Sequence, residues 1–123
     1  MADTVLVCVT GQQSSQRLIH RGAEIAARHG APLLVLSVSG SGVNLLSNPS
    51  VSQALNDLYR LSVEVGAEMT MLHHTDAHRA ICDFAKERGV THLVLGQGQN
   101  GENPFILRLM QALPQVTFMI EPA

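Results

Sequence analysis

TVLVCVT, residues Thr4–Thr10, is an apolar and mostly β-branched run close to the start of the chain. The run shows no alternation of polar and apolar residues, so a strand built from it would have both faces covered. Such strands are typical of parallel sheets, because crossover helices pack against both faces of the sheet. Gly11 ends the run. The stretch therefore predicts the first strand of a parallel α/β sheet.

Similar apolar runs recur along the chain and predict four more strands. They cover Pro32–Val38, Glu68 to Leu72 or His73, Thr91–Leu95 and Gln115–Ile120. Helix start signals lie between the strands, at Ser14 or Ser15, Asn48-Pro49, Thr75 or Asp76, and Asn103-Pro104. Five strands separated by four helices predict an open parallel sheet with right-handed crossovers. Since no linker divides the chain, we expect one α/β domain over residues 1–123.

The spacing of apolar residues predicts which side of each helix packs against the sheet. The expected core-facing residues are Ile19, Gly22, Ala23, Ala26, Val51, Leu55, Leu58, Val65, Ile81, Phe84, Ala85, Ile106, Leu109, Met110 and Leu113. Gly30, Gly66 and Gly89 are expected to end the first three helices, because glycine adopts the left-handed conformation that closes a helix.

Composition argues against several classes of function. The 123 residues are 46% hydrophobic and only 3% aromatic, with a net charge of −2. The chain lacks the basic surface and stacking platforms typical of nucleic-acid binding, so no nucleic-acid partner is expected. The opening MADTVLVCVTG has no basic segment, and its apolar run is too short for a signal peptide or a membrane span. We expect no membrane insertion and a cytoplasmic location, with Cys8 and Cys82 as reduced core thiols.

Ligands of open parallel sheets bind beyond the carboxyl ends of the strands, where the winding reverses. Those ends are predicted at Thr10–Ser15, Ser39–Gly42, His73–Asp76 and Gly96–Gly101. The last lies in THLVLGQGQNGENP, residues Thr91–Pro104, where an apolar run opens into glycines and amides before a helix restarts at a proline. Backbone N–H groups at such a loop and helix start suit a phosphate or another anion.

Residues 96–101 spell G-x-G-x-x-G but do not form a dinucleotide fingerprint. The pattern follows the fourth strand, and no acidic residue lies ~20 residues further on inside another βαβ unit. Two interpretations remain, a surface turn that needs positive φ and a ligand-binding loop. Gln97, Gln99 and Asn100 carry no charge, so a phosphate held here would rely on backbone N–H groups and neutral amides.

Other polar residues have a structural interpretation. Ser14 and Ser15 either cap the first helix or contribute to an anion site, and we favour capping. One strand-to-helix junction collects His73, His74, Asp76 and His78. Neighbouring strand residues point to opposite faces, so Asp76 as a helix cap with solvated histidines explains this cluster better than a metal site. Three further histidines, expected to be ordinary surface or strand-edge residues, are His20, His29 and His92.

Catalytic motifs are missing from the sequence. It contains no nucleophile elbow, P-loop lysine, H-x-G-H motif or acidic pocket after the first strand. No general base lies near a nucleophile. We therefore predict no catalytic residue, no metal site and no enzymatic activity.

Three segments carry a resemblance to a known family. They are VLVCVTGQQSSQRLIHRGAEIAARHGAPLLVLSV at residues 5–38, EVGAE at 64–68 and DAHRAICDFAKERGVTHLVLG at 76–96. In this order they resemble the universal stress protein family across the whole chain. Residues 14–32 are most similar to the universal-stress-like domain of KdpD-type potassium sensor kinases. The resemblance implies a three-layer α/β/α fold of the adenine nucleotide alpha hydrolase-like type, with a five-stranded sheet of order 3-2-1-4-5.

The resemblance also implies an adenine nucleotide, in members that bind one, between the ends of strands 1 and 4. The resemblance implies that those members have a sequence similar to V-D-G-S after strand 1. Residues 9–12 here are VTGQ, with Thr10 at the acidic position. Their phosphate loop resembles G-x2-G-x9-G-S/T, of which Gly98 and Gly101 fit the first half. Asn-Pro at residues 103–104 occupies the position of the final Gly-Ser/Thr pair of that motif, and the loop is several residues shorter than the family's. The S-x-S with which some sensor-kinase domains bind a cyclic dinucleotide is also replaced, by TGQ.

The prediction is a small stress-regulatory or sensory domain of universal stress protein type that binds ATP or AMP. Its predicted site residues are Thr10, Gly11, Gln12, Ser14, Ser15, Val38, Ser39, Gly96, Gln97, Gly98, Gln99, Asn100, Gly101 and Asn103. The alternative is a degenerate member that binds no nucleotide and docks on a sensor kinase or transporter. Val116–Ile120, an edge strand in the implied order, has no charge or proline, and we predict a homodimer through it.

Overall fold

The five predicted strands and four predicted helices are all present. The structure, a computed structural model, describes residues 3–9, 14–39, 49–73, 76–96 and 104–121. The strands are β1 (Val5–Val9), β2 (Leu33–Ser39), β3 (Glu68–His73), β4 (His92–Gly96) and β5 (Thr117–Glu121). The helices are α1 (Ser14–His29), α2 (Pro49–Glu64), α3 (Ala77–Arg88) and α4 (Pro104–Ala112). None of these helices is long and apolar enough to cross a membrane.

All four strand pairs are parallel, and the order across the sheet is β3-β2-β1-β4-β5. The predicted order 3-2-1-4-5 is therefore confirmed. From β1 the chain first winds outward through β2 to β3, then returns to the other side of β1 for β4 and β5. The direction of winding thus reverses between β1 and β4, which places a topological switch point at that pair.

Alternate strand residues point to opposite faces, and both faces are apolar. Val5 and Val7 face a cluster that includes Ile19 of α1 and Leu58 of α2, here called the α1–α2 cluster. Residues of the opposite face, such as Leu6 and Leu93, join Ile81 of α3 and Leu109 of α4 in the α3–α4 cluster. Helices therefore cover both faces of the sheet, which explains why β1 reads as a continuous apolar run.

Helix ends follow the local signals in the sequence. Asp76 is the N-cap of α3, and its carboxylate accepts the backbone N–H of Arg79 at 3.2 Å. Gly89 ends the same helix in the left-handed conformation, with φ of 65°, and its N–H donates to carbonyls of the last turn. Gly30 and Gly66 also have positive φ, as predicted for helix ends.

The expected core-facing residues of α4 are confirmed with one exception. Ile106, Leu109 and Leu113 are buried, but Met110 is 44% exposed, so its predicted core position is wrong. The three buried residues recur at i, i+3 and i+7 and define one stripe. Met110 lies about 40° from Ile106 around the helix, on the side away from Leu109 and Leu113, and is therefore at the border of that stripe.

Candidate functional site

The carboxyl ends of β1 and β4 form the centre of the candidate site. Val7 lies opposite Val94 in the parallel pairing of these strands, and the same register continued by two residues places Val9 level with Gly96. The helix α1 begins at Ser14, and four residues separate it from Val9, the end of β1. The backbone N–H groups of its first turn have no partner inside the helix and carry the positive end of the dipole.

Helices that follow β1 and β4 lie on opposite faces of the sheet. The helix α1 packs in the α1–α2 cluster, and α4 packs in the α3–α4 cluster. The segments that join Val9 to Ser14 and Gly96 to Pro104 therefore start at neighbouring strands and end on opposite sides. In open α/β sheets the usual place for a ligand is beyond the carboxyl ends of two strands related in this way.

Five predicted site residues lie within the described parts of the chain, all at this edge of the sheet. Ser14 and Ser15 begin α1, Val38 and Ser39 end β2, and Gly96 ends β4. The half-buried side chain of Val38 packs against the α3–α4 cluster. A Cβ on Gly96 would lie 3.5 Å from Cδ1 of Leu18, an ordinary contact, so packing against α1 does not by itself require glycine there.

The other predicted site residues lie outside the described residues. They are Thr10, Gly11, Gln12, Gln97, Gly98, Gln99, Asn100, Gly101 and Asn103. They belong to the segments between Val9 and Ser14 and between Gly96 and Pro104, whose described ends flank the switch point. Their role in ligand binding stays a prediction.

A partly exposed ion pair joins α1 to the end of β5. Nε of Arg21 donates to Oε1 of Glu121 at 2.9 Å, and its Nη1 donates to Oε2 of Glu24 at 3.0 Å. Glu121 lies opposite Gly96 in the β4–β5 pairing. The hydrogen bonds to Glu24 and Glu121 raise the pKa of the Arg21 guanidinium. The pairing is not visible in the sequence, because the two partners are 100 residues apart and Glu121 falls outside the predicted strand.

Within the histidine-rich junction after β3, Asp76 has the predicted role of a helix cap. Asp76 caps α3, while Nε2 of His78 lies 3.9 Å from Sγ of Cys82 one turn further along the helix. His73 ends β3, and His74 lies outside the described residues. Among the residues that the structure describes, no group of three or more His, Cys, Asp or Glu side chains is arranged to hold a metal ion.

Both cysteines are free, and their environments disfavour the reactive thiolate. Burial raises the pKa of the Cys8 thiol, which packs against the α3–α4 cluster, to about 12. Burial also raises the pKa of Cys82, and the nearby Lys86 offsets only part of that effect. Neither thiol therefore has the depressed pKa typical of a nucleophilic cysteine.

Comparison with protein families identifies the chain. The model of one family, the universal stress protein family, matches residues 1–108. The chain belongs to the universal stress protein family. The match confirms the resemblance drawn from the sequence segments.

Universal stress proteins of known structure share the fold of this chain. One from Archaeoglobus fulgidus has a TM-score of 0.75 at 17% identity, covering 98% of this chain and 93% of its own. A universal stress protein in complex with cAMP has a TM-score of 0.68 at 20% identity, covering 98% and 97%. The A. fulgidus protein in complex with dAMP has a TM-score of 0.68 at 18% identity, covering 98% and 96%. At these identities the likeness shows the fold.

Curated relatives include the sensor protein KdpD of two bacteria. Sensor protein KdpD of Mycobacterium tuberculosis (strain H37Rv) is 34% identical over 95 residues, which are 76% of this chain and 11% of that protein. Sensor protein KdpD of Escherichia coli (strain K12) is 26% identical over 95 residues, 77% of this chain and 10% of that protein. This universal stress protein family member therefore spans about a tenth of the length of these relatives.

Proposed function

We propose that this chain is a non-enzymatic regulatory domain that binds an adenine nucleotide beyond the carboxyl ends of β1 and β4. The observation that carries the proposal is that α1 and α4, the helices that follow the neighbouring strands β1 and β4, lie on opposite faces of the sheet at the switch point. In open α/β sheets a ligand binds at such a point, and here it would lie near the N-termini of α1 and α4, which favour anions. The complexes of related folds with cAMP and dAMP support an adenine nucleotide as the ligand.

The charges of the predicted site favour a nucleotide with one phosphate over ATP. None of the predicted site residues is cationic, and Glu102 adds a negative charge to the segment that contains most of them. A phosphate would therefore be held by backbone N–H groups and by the amides of Gln97 and Gln99. Each further phosphate adds negative charge without a compensating cation. We expect AMP to bind more tightly than ATP.

Adding carboxylates at the predicted phosphate position should weaken nucleotide binding. In Gln97→Glu/Gln99→Glu, two amides become anions of similar size, and repulsion of the phosphate should lower AMP affinity at least ~10-fold, about 1.4 kcal/mol. Isothermal titration calorimetry with AMP measures the change, and the AMP recovered afterwards should be unmodified if the domain is non-enzymatic.

The matched control is Gln111→Glu/Gln115→Glu. It adds the same charge at two exposed residues near the opposite, amino-terminal end of the sheet. This variant should bind AMP like the parent chain, because the added charges are distant from the proposed site and screened by salt. Equal AMP affinity in all three proteins, or no heat with AMP in the parent, would contradict the proposed site.

A second candidate function, self-association or docking on a sensor kinase or transporter, is favoured by the free edge of β5. Among the described strands, β5 pairs only with β4. Ile120 is 37% exposed on this strand, and α4 adds the exposed Leu107 and Met110. An uncovered strand edge with apolar side chains beside it invites pairing with another chain.

A charge on the β5 edge should abolish the proposed homodimer. We expect the parent chain to have a mass near twice 13.2 kDa at micromolar concentration in light scattering, and Ile120→Lys to be monomeric. Val63→Lys, which makes the same kind of change at an exposed apolar residue of α2, should remain dimeric. A monomeric parent chain would contradict the proposed homodimer. A monomeric Val63→Lys would contradict an interface confined to β5.

A further inference from the structure

Large apolar side chains that are exposed lie near the two free edges of the sheet. Within the described part of the chain there are six, Leu107, Met110 and Ile120 of α4 and β5, and Tyr59, Val63 and Met71 of α2 and β3. The second three, here called the β3 patch, are each more than half exposed. The order of the sheet places β3 and β5 at opposite edges, so the β3 patch is separate from the proposed homodimer contact.

Tyr59 and Val63 lie one turn apart on the side of α2 that faces the free edge of β3. They follow the fully buried Leu58 at about 100° and 140° around the helix, in the same direction. In the right-handed crossover usual between strands of a parallel sheet, this direction points away from α1 and toward the outside of β3. Leu61 lies about 60° from Leu58 in the other direction and packs in the α1–α2 cluster. The two exposed side chains therefore border the edge of the sheet.

The strand β3 has one free backbone edge, and Met71 lies beside it. Among the described strands, β3 pairs only with β2. Met69 and Met71 point to the side of the sheet that carries α2, where Met69 packs in the α1–α2 cluster and Met71 remains 58% exposed. The chain reverses at Gly66, so Tyr59 and Met71 lie at similar heights, about 10–15 Å from that turn. Met71, Tyr59 and Val63 thus form one apolar surface beside the strand edge.

The β3 edge lacks the usual features that block the pairing of edge strands. Natural edge strands are commonly blocked by lysine, proline or a bulge. The sequence of β3, EMTMLH at residues 68–73, contains no proline or lysine and has a carboxylate only at Glu68. Its pairing with β2 continues from Glu68 to His73 without a bulge. An open edge beside apolar side chains is suited to accept an added strand.

We propose that the β3 edge and the β3 patch bind an extended peptide segment of another protein as a sixth strand of the sheet. The segment has apolar residues at every second position, which face the α2 side, over Met71 and against the exposed side of α2. The residues between them face the other side, where Thr70 and the ion pair of Glu68 with Arg88 at 4.0 Å favour polar side chains. Backbone hydrogen bonds to β3 supply affinity, and the apolar positions supply selectivity.

A second copy of this chain does not fit the same edge. The helix α2 contacts β3, the last strand on this side of the sheet. Two identical edges pair antiparallel across a two-fold axis, which keeps both α2 helices on one face. The two β3 strands would be about 4.8 Å apart, whereas packed helices need roughly 8–10 Å between their axes. The two α2 helices would therefore collide, and an extended segment, which carries no helix, avoids this collision.

The fluorescence of Tyr59 reports directly on the proposed surface, because it is the only tyrosine of a chain without tryptophan. A displayed library of random dodecapeptides that lack tyrosine and tryptophan is selected on the 123-residue chain, and the most enriched peptide is synthesised with capped ends. We expect its sequence to alternate apolar and polar residues. Titration with this peptide should shield Tyr59 from quenching by iodide, because the added strand covers the β3 patch.

Two substitutions in the β3 patch test the contact. Met71→Lys and Val63→Lys should each weaken binding of the selected peptide at least ~10-fold, because an ammonium group replaces an apolar contact. The matched control is Met110→Lys, the same substitution at an exposed methionine of α4, which should bind like the parent chain. Circular dichroism of every variant, compared with the parent, checks that the fold is retained.

Methylation of the peptide backbone tests strand addition itself. Two forms of the peptide are N-methylated at alternate residues, one form for each set of positions. The form that loses the N–H groups facing β3 should not bind, because those groups pair with the strand edge. Binding of both forms, unchanged affinity in Met71→Lys and Val63→Lys, or no selected peptide that shields Tyr59 would overturn the proposal.

The peptide site depends neither on the proposed nucleotide site nor on the proposed homodimer. The titration uses no nucleotide, and β3 lies at the opposite edge of the sheet from β5. Failure of AMP binding or a monomeric parent chain would therefore leave the peptide result unchanged, and failure of peptide binding would leave those two proposals unchanged.

Discussion

Gly22→Val is expected to unfold most of the chain at 25 °C. Gly22 is buried in α1 against β1, and a Cβ at this position would overlap Cγ2 of Val7 and lie 3.2 Å from Cδ1 of Leu33. Both neighbours are themselves buried, Val7 completely, so neither side chain has space to move into. Overpacking by a single methyl group costs about 1–3 kcal/mol, and valine adds three carbons. The total is comparable with the ~5–15 kcal/mol by which a domain of this size is stable.

The smaller change Gly22→Ala shows whether the clash with Val7 or the gain in helix propensity has the larger effect on stability. On helix propensity alone, alanine should stabilise α1 by about 1 kcal/mol relative to glycine. We expect a net loss of stability in urea unfolding followed by circular dichroism, because the clash with Val7 exceeds that gain. A gain of about 1 kcal/mol would show that α1 and β1 are not in close contact at this point.

Two further variants separate the clash from other effects. Ala27→Val places the same β-branched side chain on the exposed side of α1 and should cost less than about 1 kcal/mol. In Gly22→Ala/Val7→Ala, the residue that blocks the added methyl is shortened. The double variant should be more stable than the sum of the two single changes predicts, because the two side chains share one space.

Leu109→Ala should cost about 2–5 kcal/mol in the free energy of unfolding, the range for emptying a filled core position. Leu109 is completely buried in the α3–α4 cluster. Its neighbour Leu107 points to solvent from the same helix and is 59% exposed. Leu107→Ala should therefore change stability by no more than about 0.5 kcal/mol, although the chemical change is identical.

The comparison of Leu107→Ala with Leu109→Ala is made by urea unfolding at one temperature, with the slope of each transition checked for constancy. Equal losses would mean that α4 is rotated relative to the sheet.

Local signals in the sequence were sufficient for the elements and most of their ends. The uniform apolar run at Val5–Val9 indicated a strand covered on both faces, and the structure covers it with helices on both sides. Asp76 and Gly89 were recognisable as the two caps of α3, because capping depends on a side chain or φ value within one turn of the helix end. Met110 was assigned wrongly because a helical stripe has no sharp border in the sequence.

The order of the sheet came from the family resemblance, because an alternation of strands and helices is compatible with several strand orders. The switch point at β1 and β4, and with it the position of the candidate site, depends on that order. The residues that would contact a nucleotide remain predictions.

By itself, the sequence determined the number, type and approximate limits of the strands and helices, since each depends on interactions within a few residues. Only the tertiary structure decided which distant side chains meet, as Arg21 does with Glu121 across 100 residues and His29 with His92 at the opposite end of the sheet. The physical reason is that such pairs are brought together by strand order and helix direction. The sequence around Arg21 or His29 does not indicate which distant residue each of them contacts in the fold.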